Sequence, residues 1–103
     1  MYKQNLNKMK NLELLQEELS EFEMVFDEDD NIRFSEFIGE EMEGKSFEKQ
    51  LSRAFGFNPI CILPMKNKKQ MEKCFDDGWL HLEFPKSLFS KNFLNEMEER
   101  FDN

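Results

Sequence analysis

The sequence predicts an α+β domain, a small sheet of three or four strands with helices packed mainly on one face, and three observations carry that expectation. The stretch WLHLEF alternates strictly, placing Leu80, Leu82 and Phe84 to one side and Trp79, His81 and Glu83 to the other, the period of a half-buried strand. Leu6, Met9, Leu12, Leu15 and Leu19 recur three or four residues apart among Asn, Lys, Glu and Gln, the stripe of an amphipathic helix. Twelve phenylalanines in 103 residues supply a bulky core free of polar atoms, and a chain of that length folds as a single domain, residues 1–103, without staples.

Read in order, the elements run α-β-β-α-β-α-β-α. After the first helix the period shifts to two: Phe22, Met24 and Phe26, then Ile32 and Phe34 beyond an acidic turn, which predicts a hairpin with a loop of four or five residues. The alternative is a continuation of the first helix through residues 21–37. GEEMEGK reads as a loop or short helix. Ser46 is placed to cap a helix ending near Phe55, with Gly56 free to take the left-handed conformation that closes it. ICIL, residues 60–63, reads as a short buried strand stopped by Pro64. Lys66 to Phe75 reads as a third helix with Met71, Cys74 and Phe75 inward, terminated by Asp76, Asp77 and Gly78. Pro85 leads into a last helix carrying Phe89, Phe93, Met97 and Phe101 at every fourth position.

The charged fraction of 35% and mean hydropathy of -0.76 describe a heavily solvated surface. No run approaches the roughly 20 apolar residues of a membrane span, and the N-terminal stretch lacks a signal peptide's apolar block, so a cytoplasmic location without membrane contact is expected. Cys61 and Cys74, set in apolar or helix-like runs, are expected to be reduced and buried.

The net charge of -8 is unevenly placed. Residues 13–43 hold thirteen acids and Arg33 as their one base, a local charge of -12, whereas residues 44–95 hold nine bases and five acids, +4. Such polarity governs partner choice and encounter rate. It disfavours direct nucleic-acid binding, and the basic run KNKKQMEK has no interleaved aromatic, so it reads as a solvated helix face.

Catalytic chemistry finds no constellation. Asp76 and Asp77, or Glu98 and Glu99, are adjacent and diverge, and the four glycines at 39, 44, 56 and 78 form no phosphate loop. His81 is the one histidine and the cysteines are thirteen residues apart, which excludes a zinc pattern, so no metal and no cofactor are expected. Cys74 and His81 read as separate packing residues rather than nucleophile and base. The stretch DEDDNIRFSEF resembles the EF-hand family over about a dozen residues, with Ile32, Phe34, Glu36 and Phe37 matching the end of such a loop. The resemblance implies a calcium site, yet with Glu36 at the twelfth position the first falls on Val25 and the sixth, where glycine belongs, on Asp30.

Binding another protein is the activity these residues point to. Carboxylates on short side chains imitate a phosphate array, the device of nuclease immunity proteins, antitoxins and nucleic-acid-mimicking inhibitors. The expected partner is a basic surface, met by Asp27, Glu28, Asp29, Asp30, Glu40, Glu41 and Glu43, with Trp79 as an aromatic anchor. The alternative is a small acidic chaperone or adaptor, in the form of a homodimer, that holds an apolar segment through Trp79, Phe89 and Phe93.

Overall fold

A computed structural model describes residues 2–27, 29–64 and 71–102, with the side chains of those from 10 to 100. Helix α1 (Tyr2–Leu19) leads into strands β1 (Glu23–Phe26) and β2 (Asn31–Phe37), helix α2 (Phe47–Phe55), strands β3 (Glu72–Asp76) and β4 (Trp79–Pro85), and helix α3 (Lys91–Asp102). The four strands form one antiparallel sheet in the order β1-β2-β4-β3. The α+β class, the first hairpin and the closing strand and helix are as the periodicity requires, and the hairpin loop has the expected four residues, 27–30.

Burial explains why the helices gather on one side. Ile32 and Phe34 of β2 and Leu80, Leu82 and Phe84 of β4 are fully buried and meet Leu15 and Leu19 of α1, Leu51 and Phe55 of α2, and Phe93 and Met97 of α3 in one hydrophobic core. The alternate positions of the same strands face outward. Leu12 completes the described part of the α1 stripe; the side chains of Leu6, Met9 and Phe101 lie outside the described residues.

Capping fixes α2. Lys49 N–H donates to Ser46 Oγ at 3.2 Å, and Gly56 closes the helix at φ 84°. Its one buried polar side chain, Gln50, donates from Nε2 to the Met42 carbonyl at 3.0 Å, tying the helix to the short 3₁₀ turn Glu40–Met42.

Three elements differ from expectation. ICIL is a 3₁₀ turn, Ile60–Ile62, because Asn58 Oδ1 accepts from Ile60 N–H at 3.1 Å and Ile62 N–H donates to the Pro59 carbonyl, closing local loops that a strand cannot make. Ile62 and Leu63 still reach the core, while Cys61 is exposed and its carbonyl accepts from Asn11 Nδ2. The helix expected from Lys66 to Phe75 is replaced by a strand: residues 72–76 are β3, whereas 66–70 lie outside the described residues. The cause is the turn that follows. Asp77 and Gly78 both have positive φ, 51° and 88°, a two-residue hairpin turn of the type favoured by Asp-Gly, and it folds Phe75 back onto Leu80. Finally, the last helix starts only at Lys91, since Ser90 Oγ accepts from Phe93 N–H and the chain before it forms a separate 3₁₀ turn, Lys86–Leu88.

Gly78 is doubly constrained. A Cβ there would stand 2.7 Å from Phe37 Cε1 and 3.2 Å from the Glu40 backbone nitrogen, in addition to the strain of positive φ. Gly78→Ala is therefore expected to lower stability by about 1–3 kcal/mol, measured by urea unfolding; an unchanged midpoint would contradict this packing.

Candidate protein-binding face

The uncovered side of the sheet is a grid whose rows follow from strand register. One row runs Phe37 (β2), Trp79 (β4), Asp76 (β3). The next runs Glu23 (β1), Ser35, His81, Cys74, and the one after it Val25, Arg33, Glu83, Glu72. The last of these is internally paired: Arg33 Nε lies 3.5 Å from Glu83 Oε1, and Asn31 Nδ2 donates to Glu83 Oε2 at 3.0 Å. In the middle row Ser35 Oγ lies 2.7 Å from His81 Nδ1. Cys74 is exposed opposite His81, so both thiols expected to be buried are on the surface. Arg33, Glu72, Cys74, Asp76, His81 and Glu83 line a shallow hollow of ≈ 260 Å³ at this edge.

The Phe37–Trp79 row is the apolar part of the face. Phe37 is 55% exposed and Trp79 half-buried, their ring centroids 5.6 Å apart and the planes at 67°. Backbone contacts hold the acidic segment 40–43 beside them. Ile38 and Gly39 N–H both donate to the Gly78 carbonyl, at 2.8 and 3.1 Å, and Arg53 Nη1 donates to the Ile38 carbonyl at 3.3 Å. Glu40, Glu41 and Glu43 are exposed, and the Glu40 backbone nitrogen stands 3.2 Å from where a Gly78 Cβ would be.

The acids named from sequence do not form one cluster. Strand β2 separates them: Asp27, Asp29 and Asp30 stand at its start and Glu40, Glu41 and Glu43 beyond its end, and the six steps of about 3.3 Å from Asn31 to Phe37 span roughly 20 Å. Glu28 lies outside the described residues. At the hairpin end Asp30 takes φ 65°, its carbonyl accepts from Lys86 N–H, and its carboxylate is 4.0 Å from Lys86 Nζ. At the other end Glu41 is 3.4 Å from Arg53. The Glu41 carboxyl is held below its ordinary range, chiefly by its own backbone N–H and then by Arg53. Such an exposed pair is lost only as pH falls through that lowered value.

Glu36 behaves oppositely. Partial burial, and then the nearby Glu23, raise its carboxyl above the ordinary 4.5. A raised acid favours the folded state fully below its unfolded value, and that contribution disappears as pH rises through the folded value. Glu36→Gln is expected to stabilise the domain near neutral pH and to remove part of the gain seen on acidifying toward 4.5, as thermal midpoints at the two conditions would show. An identical pH profile in the variant would contradict this.

The segment that resembles an EF-hand loop is the end of a β-hairpin, not a loop between helices, and Ile32 and Phe34 point into the core. Among the described residues no group of three or more potential metal ligands converges, and no helix is long and apolar enough to cross a membrane. Phe89 and Phe93 are buried in the core and offer no surface to a partner. Phe37, absent from the residues expected to meet a partner, is the most exposed aromatic among the described residues, with Phe57 exposed elsewhere at the end of α2. The chain matches no known family model, no curated protein and no solved structure.

Proposed function

We propose that this chain is an acidic protein-binding domain, of the inhibitor, immunity or antitoxin kind, that docks a basic surface of a target protein. One observation carries the reading: an aromatic pair, exposed Phe37 and half-buried Trp79, shares a cross-strand row with Asp76, and the segment leading into Glu40, Glu41 and Glu43 is hydrogen-bonded to the adjoining Gly78. An apolar centre with a charged rim is the anatomy of a docking site. The hairpin acids, about 20 Å away along β2, serve a different purpose in this account: they add long-range attraction that speeds encounter without contributing much contact energy.

A second reading is favoured by Val25 and Phe37, both more than half exposed on the open sheet: an adaptor that holds an apolar segment. Salt separates the two. The test is capture of the target from the native host, its identification, and measurement of affinity at about 0.05 and about 0.5 M salt, conditions whose screening lengths differ severalfold. A basic target whose affinity falls at least about tenfold supports charge-led docking. Salt-insensitive binding of an uncharged apolar segment would transfer the function to the second reading.

A further inference from the structure

We propose that the group received at the Phe37–Trp79 end is an arginine side chain of the partner; this rests on the reading that the partner is basic, and adds the chemistry of the contact. The row offers two different surfaces side by side. Phe37 is seated against the turn, its Cε1 2.7 Å from where a Gly78 Cβ would stand, and more than half of its surface faces solvent. Trp79 meets it edge to face, and on the far side of Trp79 the directly paired residue is Asp76. Adjacent strands lie about 4.8 Å apart, so a flat cation stacked on the aromatic pair finds a carboxylate one strand away.

Guanidinium suits that arrangement better than ammonium. It is planar and weakly hydrated, stacks on aromatic faces, and keeps its N–H donors in the plane, directed sideways toward carboxylates. A lysine ammonium is a strongly hydrated point charge that gains from the acids but little from the rings. Two arginines near this end are already engaged, Arg53 with the Ile38 carbonyl and Glu41, and Arg33 two rows away with Glu83, and Lys45, exposed beside the acidic segment, forms no ion pair with Glu40 or Glu43 among the described residues. Among the described residues Asp76, Asp77, Glu40 and Glu43 form no ion pair, so their charge is available to an incoming cation. The opposite, hairpin end has no comparable solvent-facing aromatic row among the described residues, and Lys86 already lies over the Phe26 ring there.

Trp79 is the single tryptophan, so its emission reports directly on this row. The probe is a blocked peptide of alternating arginine and glycine, titrated against the full chain beside its lysine counterpart. The arginine peptide is expected to shift Trp79 emission saturably and to bind at least about threefold more tightly than the lysine peptide. Asp76→Asn should weaken it severalfold while leaving the thermal midpoint nearly unchanged, and Phe37→Ala should abolish the preference for arginine. Equal affinity for the two peptides, indifference to Asp76→Asn, or no saturable shift would overturn the inference. A basic target captured with steep salt dependence would in that case still support the broader function, so the two failures are distinguishable.

Discussion

Phe34→Ala is expected to destabilise the domain by about 3–5 kcal/mol, the range for removing a fully buried ring. Phe34 is at the centre of the core: it has no exposed surface and its ring contacts those of Phe84, Phe89 and Phe93 at centroid distances of 6.0, 5.8 and 6.1 Å. It therefore joins β2, β4 and the segment leading into α3, and no neighbouring side chain can fill the space without leaving its own contacts. A domain of this size has a total stability of about 5–15 kcal/mol. The loss should lower the thermal midpoint by about 12 °C or more. A drop below about 4 °C would mean that this core is not packed as described.

Trp79→Ala is expected to weaken binding of the captured target by roughly thirtyfold, the loss of about 2 kcal/mol typical of a buried aromatic anchor in an interface. The size follows from position. Trp79 lies on the uncovered face between Phe37 and Asp76, so its truncation removes both the edge-to-face partner of Phe37 and the neighbour of the nearest carboxylate. The comparison that gives this meaning is Asp29→Asn at the other end of β2, exposed and distant. That change should slow association at low salt, change dissociation little, and cost less than about twofold near physiological salt. Calorimetry or surface-based kinetics on the wild type and both variants checks the pair. Equal losses for Trp79→Ala and Asp29→Asn would relocate the contact toward the hairpin.

What was legible in the sequence was whatever a short window encodes. The alternation of β4, the period change at Glu21, the Ser46 cap and the Gly56 terminus are local signals, and each appears where it was read. Asp77-Gly78 was also legible. As the turn residues between EKCFD and WLHLEF they signal a hairpin, but the lysines before them and Met71, Cys74 and Phe75 fit a helical face well enough to hide β3. ICIL misled for another reason: an apolar run of four shows burial without showing backbone form, and Asn58 decided the form through a side-chain hydrogen bond.

The site was harder, because it is a product of register. Trp79 could be assigned to the uncovered face from its own strand, but Phe37 becomes its neighbour only when β2 pairs with β4 in the observed alignment. Likewise the acids at 27–30 and 40–43 look like one block in the chain, and only the extended β2 between them reveals two ends. Proximity in sequence understated distance for the acids and proximity in space was invisible for Phe37, Trp79 and Asp76.

The most direct test is an NMR titration of the labelled chain with its captured target. The largest shift changes are expected on Phe37, Glu40 and Asp76 through Trp79, with small changes at the 27–30 turn. Largest changes on the helical side, between α1 and α3, with the open sheet undisturbed, would contradict this.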